Sequence, residues 1–233
     1  MDAADLRDRS LVIGPYFSSE EHERHVLETT GSVDWFSFSD QDEMRFAKQN
    51  RHMASLWFRV PEEPAAVSSI SGWLDVPVVA GLLACSRDEP FHLASTAGRW
   101  CAPGGRVLIG IDTLAASVPS ALSRRLRVGM GFDLLLSDDR LVGWLLEEPE
   151  RYLQGLWEPS PNESPSDAWL GDALEEYLDL VSFPNIEKIQ EGESTMYESL
   201  NALRNRLAAN EGAFKRRAAL RKRLDELITD WYG

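Results

Sequence analysis

The sequence is poor in cysteine, in long apolar runs and, over most of its length, in basic residues. Its two cysteines, Cys85 and Cys101, form no Cys-x-x-Cys pair, so we expect free thiols rather than a disulfide framework. The longest mostly apolar run, residues 76–85, includes a proline and is too short to span a bilayer. The first ten residues are charged and lack the apolar segment of a signal peptide. We therefore expect a cytoplasmic protein with no membrane contact.

The sequence also lacks the common nucleotide-binding and serine-hydrolase motifs. It contains no G-x-x-x-x-G-K-[ST], no G-x-S-x-G and no G-x-G-x-x-G. Gly104 and Gly105 precede a predicted strand rather than a helix, so they supply no helix N-terminus for a phosphate. We expect no cofactor, apart from Mg²⁺ under one alternative given below.

The charge of the chain is divided unevenly. Residues 1–198 hold 16 Lys and Arg against 34 Asp and Glu, a net of −18, whereas residues 199–233 carry a net of +4. Proteins hold nucleic acid by neutralising its phosphates with Lys and Arg. The acidic body is therefore unsuited to nucleic acid, while the basic tail stays compatible with it.

Apolar runs and turn signals predict an α/β domain over residues 1–157, a Pro-rich linker over 158–165 and a helical segment over 166–233. Strands are predicted at residues 11–13, 33–38, 56–60, 107–111 and 132–136. Helices are predicted after Ser18 or Ser19, after Ser39 or Asp40, after Asp112 or Thr113, and after Ser137. The strand–helix–strand pattern within 106–154 indicates parallel pairing. We expect a mixed, partly parallel sheet with flanking helices, followed by an α-helical C-terminal segment.

Acidic side chains stand where two predicted strands end. Asp112 follows the strand at 107–111, and Asp138 and Asp139 follow the strand at 132–136. In an open parallel sheet the carboxyl ends of strands line the ligand crevice, and carboxylates gathered there can hold Mg²⁺. These aspartates predict a magnesium-dependent phosphohydrolase or nuclease-like site. Helix capping explains the same residues, because Asp is favoured at helix N-caps.

A second acidic and histidine-containing group lies on the first predicted helix. His22 and His25, with Glu21 and Glu28, stand within two turns and offer nitrogen and oxygen ligands that zinc accepts. The His-Glu-x-x-His spacing is absent. A solvated, charged helix face explains the group better, and we expect no metal site here.

The C-terminal helix carries a narrow apolar stripe with basic flanks. The stripe consists of Leu220, Leu224, Leu227 and Trp231, and Arg217 and Arg221 stand beside it. A narrow stripe with basic flanks suits a partner helix or an acidic surface better than a flat membrane. We predict that these six residues bind a protein partner or a second copy of the chain. Two other interpretations stay open, packing of the helix on its own domain and contact of the tail with nucleic acid.

These features favour a non-enzymatic interaction or accessory subunit of a larger macromolecular assembly. The missing catalytic motifs, the acidic body and the basic amphipathic helix support it. The alternative is the magnesium-dependent phosphohydrolase or nuclease-like enzyme at Asp112, Asp138 and Asp139.

Overall fold

The computed structural model describes most of the chain. The described ranges are 5–7, 10–32, 42–87, 89, 91, 93, 96–112, 119–155, 157, 165–209 and 214–233. The strands are β1 (Asp5–Arg7), β2 (Ser10–Ile13), β3 (Thr29–Gly31), β4 (Glu43–Ala47), β5 (Met53–Arg59), β6 (Glu63–Pro64), β7 (Val78–Ala80), β8 (Gly98–Cys101), β9 (Val107–Ile111), β10 (Arg124–Gly129), β11 (Phe132–Ser137), β12 (Arg140–Glu147) and β13 (Leu153–Gln154). The α-helices are α1 (Ser19–Glu28), α2 (Val67–Leu74), α3 (Ala168–Leu180), α4 (Asn185–Gln190), α5 (Ser194–Ala209) and α6 (Phe214–Tyr232).

The described strands form two sheets, each of which mixes parallel and antiparallel pairs. The first has the order β13-β1-β2-β5-β4-β3, and the second has the order β6-β8-β9-β12-β11-β10-β7. Pairing is parallel between β1 and β13, between β6 and β8 and between β7 and β10, and it is antiparallel elsewhere. This confirms the expected mixed, partly parallel architecture with flanking helices and a helical C-terminal segment.

The region 106–154 differs from the strand–helix–strand unit that the sequence predicts. Residues 124–129 and 140–147 were expected to be helical, but they form β10 and β12, which pair antiparallel with β11. The turn between β11 and β12 consists of Asp138 and Asp139, both at positive φ, 50° and 61°. Two consecutive left-handed residues make the type I′ turn, whose twist matches antiparallel strands. The aspartates interpreted as a strand end and helix cap are hairpin residues.

The helix prediction failed in β12 because this strand is buried on both faces. Residues 142–146 are all buried, so apolar side chains do not alternate with polar ones, and their spacing also fits a helix. The predicted helix after Ser39 or Asp40 is also wrong. Met44, Phe46 and Ala47, which would form its apolar face, belong to the strand β4. The predicted strand at 33–38 and most of the helix after Asp112 lie outside the described residues.

The C-terminal segment forms a helical hairpin rather than one long helix. Arg204 Nη1 of α5 lies 3.6 Å from Asp225 Oδ1 of α6, and the rings of Tyr197 and Tyr232 are 5.2 Å apart, so the two helices run antiparallel. For residues 193–231 the sequence predicts either one kinked helix or a helical hairpin, with a break at 210–212, because glycine is unfavourable inside a helix. The hairpin is the arrangement found, and residues 210–213 lie outside the described part.

Both sheets and the C-terminal helices contribute to one hydrophobic cluster. Leu11 and Phe58 of the first sheet, Leu134 of the second, Leu174 of α3 and Leu224 of α6 all belong to it and are almost inaccessible. The helical segment therefore packs directly on the α/β part. The linker boundary at 158–165 stays a prediction, because residues 158–164 lie outside the described ranges.

A close backbone contact fixes α3 against the second sheet. Gly105, at the end of the 3₁₀ turn Pro103–Gly105, has φ of +63°, and a Cβ there would lie 2.2 Å from the carbonyl oxygen of Gly171. Only glycine permits both that conformation and that approach.

On the other face of the sheet, Ile70 and Trp73 of α2 are fully buried in a second, smaller cluster.

Candidate functional sites

The aspartates at the strand ends lie at one end of the second sheet. They do not lie on neighbouring strands, contrary to the prediction. Asp112 follows β9, and Asp138 begins the turn after β11, but β12 lies between these two strands. Strands are spaced about 4.8 Å apart, which puts the two strand ends about 10 Å apart. The Asp112 N–H donates to the Val142 carbonyl of β12 at 2.8 Å, and Asp138 and Asp139 are exposed.

The expected adjacency of parallel strands at this point is therefore wrong. Over the described ranges, no group of three or more His, Cys, Asp or Glu side chains is arranged to hold a metal ion. The geometry does not favour the magnesium-dependent alternative.

The side chains of α1 that suggested zinc binding have separate hydrogen-bond partners. Ser18 caps the helix, accepting from the Glu21 N–H at 3.2 Å, and the Glu21 carboxylate accepts from the Phe17 N–H at 2.7 Å. His22 Nε2 lies 3.1 Å from Glu43 Oε1, and His25 Nε2 lies 2.9 Å from Ser55 Oγ. The two histidines thus tie α1 to β4 and β5.

An aromatic cluster surrounds these histidines on the first sheet. The Tyr16 ring lies 4.7 Å from the His22 ring and 5.4 Å from the His25 ring, and it stacks on Trp57 at 6.5 Å. Trp157 closes the cluster, 5.9 Å from Trp57. The rings pack against one another, which fastens both α1 and Trp157 to this sheet.

Burial lowers the pKa of His25 below its ordinary value of 6.5, and this effect exceeds the opposing attraction of Glu43. A neutral imidazole beside a serine hydroxyl is the arrangement of a nucleophilic pair. Ser55 is nevertheless fully buried. The hydroxyl is closed to substrate in this conformation, so the pair serves packing.

The apolar stripe of α6 packs inside the chain's own core. Leu220 and Leu224 are fully buried and Leu227 is nearly so, whereas Trp231 is exposed. The leucines therefore do not offer a free surface for a partner, which corrects the expectation that the stripe is open. This placement agrees with the other interpretation given above, in which the helix packs on its own domain.

The basic residues of α6 are also largely engaged within the chain. Arg217 is buried with its guanidinium 5.8 Å from the centre of the Trp169 ring, while Arg221 is exposed and lies 3.7 Å from Asp225. Arg216 donates to the Pro165 carbonyl at 3.0 Å, and Arg223 donates to the Gln154 carbonyl at 3.3 Å. The surface that the tail presents to nucleic acid is less basic than the sequence suggested.

An exposed apolar edge was missed by the sequence analysis. β7 is the terminal strand of the second sheet, and in the described part of the chain no strand pairs with its outer side. Val78 and Val79 are 45% and 50% exposed, and Leu82, which follows the strand, is 72% exposed. The apolar sequence of residues 78–85 predicts either a buried strand or a short buried helix, and the exposure of Val78, Val79 and Leu82 shows that the expected burial is wrong there. We call residues 78–82 the β7 edge.

The hydrogen bonds of β7 show which backbone groups face outward. The Arg125 N–H donates to the Pro77 carbonyl and the Gly81 N–H donates to the Arg127 carbonyl, both at 3.4 Å. Backbone groups alternate along a parallel ladder, so Val79 faces β10 and Val78 and Ala80 point their N–H and C=O groups away from it. Within the described ranges, the β7 edge thus presents outward N–H and C=O groups without a strand partner, together with exposed apolar side chains.

The described helices include none with both the length and the apolar character needed to cross a bilayer. Comparison of the chain with protein-family models, with curated proteins and with solved structures gives no match.

Proposed function

We propose that this protein is a non-enzymatic, cytoplasmic interaction or accessory subunit of a larger assembly, and that the β7 edge is its contact surface. The observation that carries the proposal is the exposure of Val78, Val79 and Leu82 on a terminal strand. An exposed strand edge with apolar side chains is a ready template for pairing with another chain. The C-terminal helix has instead a structural role.

Burial of the exposed apolar side chains sets the scale of the interaction. Complete burial of a Val or Leu side chain contributes about 1.5–3 kcal/mol, so covering the exposed parts of Val78, Val79 and Leu82 contributes about 3 kcal/mol. Association costs at least about 4 kcal/mol in lost freedom of motion. The partner must therefore add backbone hydrogen bonds at Val78 and Ala80 and further contacts around the strand.

The charges beside the edge support a protein rather than a nucleic acid as the partner. Arg125 and Arg127 of the neighbouring β10 are paired with Asp133, and Arg127 Nη2 also lies 2.8 Å from Glu147 Oε1. These cations are neutralised within the sheet. Phosphate recognition requires free basic groups, whereas strand addition requires only the free backbone and the apolar side chains.

A photo-crosslinking experiment tests this function. A benzophenone amino acid replaces Val79 in the full chain, and a matched protein carries it at Leu27, which is 71% exposed on α1. After irradiation in cells, we expect a discrete covalent adduct from position 79 and none from position 27. Ala80→Pro removes an outward N–H and should abolish the adduct. An equal yield from both positions, or no adduct from position 79, contradicts the proposal.

A further inference from the structure

We propose that the partner at the β7 edge is a second copy of this chain, whose own β7 pairs antiparallel across a twofold axis at Val79. The proposal rests on the function proposed above and specifies which chain binds at the β7 edge. The result is one continuous sheet through two copies. Three features of the edge support it: its hydrogen-bond pattern, its lack of charge and its exposed side chains.

The hydrogen-bond pattern of β7 is self-complementary. In antiparallel pairing, two residues that face each other exchange both of their backbone hydrogen bonds. With the axis at Val79, Val78 of one copy faces Ala80 of the other, and both residues have outward N–H and C=O groups. The two identical segments therefore form four hydrogen bonds and leave none of these groups unpaired. A twofold interface requires self-complementarity of this kind.

The lack of charge makes this edge suited to contact between two acidic copies. Each chain carries a net charge of −14, so most of its surface repels a second copy. Residues 76–85 contain no charged side chain. Two of the three arginines of the adjacent β10, Arg125 and Arg127, are balanced by Asp133 and Glu147, while the third, Arg124, is exposed. At physiological salt, charges beyond about 8 Å are largely screened, so repulsion from the rest of the body is weak here.

The side chains add apolar contacts on both faces of the pair. Val78 and Val79 point to opposite faces of the sheet, and both are about half exposed. Leu122, which precedes β10, and Leu82, which follows β7, lie beyond opposite ends of the parallel strand pair formed by β7 and β10 and are also exposed. A strand pair of this length buries less than the area of a standard stable interface, about 800 Å² per partner. We therefore expect a weak dimer, with a Kd on the order of micromolar.

Natural sheet edges are commonly protected by charged side chains, and β7 has none. A lysine on an edge strand opposes pairing with another chain. Val79→Lys places two like charges at the twofold axis, where they face each other directly. Leu27→Lys makes the same change of charge at an exposed residue of the helix α1, away from the β7 edge, and serves as the matched control.

Analytical ultracentrifugation of the full chain over the micromolar to sub-millimolar range tests the proposal. We expect the mass to rise from 26.2 kDa toward twice that value with concentration. Leu27→Lys should dimerise as the parent does, whereas Val79→Lys should raise the Kd more than about tenfold. Ala80→Pro should have a similar effect, because it removes hydrogen-bond donors without adding charge. Thermal melting of each variant confirms that it is folded.

A monomer at the highest concentration, or equal association of the parent and both β7 variants, overturns self-pairing. The crosslinking experiment separates this failure from that of the proposed function. An adduct from position 79 with a mass other than twice that of the chain leaves the interaction function standing and rejects the second copy as the occupant. No adduct from position 79 removes both.

Discussion

Leu224→Ala tests whether α6 belongs to the core or is a detachable binding element. Leu224 is fully buried in the cluster that both sheets share with the helices. The substitution removes three carbon atoms, and at about 0.8 kcal/mol for each the transfer term is about 2.4 kcal/mol. The cavity left behind adds to this, so we expect a loss of about 3–5 kcal/mol in the free energy of unfolding. A chain of this length should melt about 6–20 °C lower.

Urea unfolding followed by circular dichroism, with thermal melting alongside, measures this loss. Lys222→Ala is the matched control on the same helix, because Lys222 is exposed and its distance of 3.7 Å to Glu226 makes only a surface ion pair. We expect the control to change stability by less than about 0.5 kcal/mol. A loss below about 1 kcal/mol for Leu224→Ala, with an unchanged denaturant slope, refutes the assignment of α6 to the core.

Three further predictions concern buried polar groups. Asp133→Asn removes the carboxylate 2.7 Å from buried Arg125 and leaves the partly exposed Glu147, 3.2 Å away, as its counter-ion, so it should cost about 3 kcal/mol in urea unfolding. Asp139→Asn in the exposed turn should be nearly neutral. The pKa of His25 is lowered in the folded state, so below pH 6.5 the unfolded state binds a proton more readily than the folded state, and the free energy of unfolding should fall as the pH drops. His25→Gln should reduce the dependence of the free energy of unfolding on pH. An equal pH dependence in parent and variant refutes the assignment of this effect to His25. Burial raises the pKa of the Cys101 thiol to about 12, so little thiolate is present at neutral pH. Its alkylation by iodoacetamide, followed by mass spectrometry, should be slow in the folded protein and faster in urea. Equal rates of alkylation in buffer and in urea contradict this.

The parts of the fold that could be predicted are those with strong local signals. β2, β5, β9 and β11 follow from short apolar runs with turn residues beside them. The beginning of α1 follows from the hydroxyl of Ser18, which caps the helix as the sequence suggested. Each of these signals lies within a few residues of the element that it specifies.

The pairing of the strands could not be predicted, because it depends on residues far apart in the chain. β12 has a continuous apolar sequence that also fits a helix, and its turn, Asp138-Asp139, lacks the glycine that usually marks a two-residue hairpin. The assignment of both β10 and β12 to helices turned an antiparallel meander into a strand–helix–strand unit. The predicted convergence of Asp112 with Asp138 followed from these two errors, because β12 lies between β9 and β11.

The candidate site was missed for a different physical reason. Apolarity in a sequence predicts burial on average, but it does not say which run stays at the surface. In β7 the neighbouring strand β10 covers one side only, and Gly81 brings the backbone close to Leu126, where a Cβ would lie 2.9 Å from the Leu126 Cδ1. The absence of charge in residues 76–85 does not single out this run, because residues 64–74 and 113–123 are also uncharged.

The distribution of charge and the exposed edge act together. An acidic body limits association of copies at most of its surface and disfavours polyanions, so contact is confined to places without acidic residues. Three of the basic residues of α6, namely Arg216, Arg217 and Arg223, are buried within the chain, which reduces the ability of the tail to offset that repulsion. The β7 edge combines local neutrality, apolar side chains and free backbone groups. If this combination selects the partner, an acidic side chain introduced at the edge should disrupt association as effectively as a lysine does. In either case the added charge would face the same charge on the second copy.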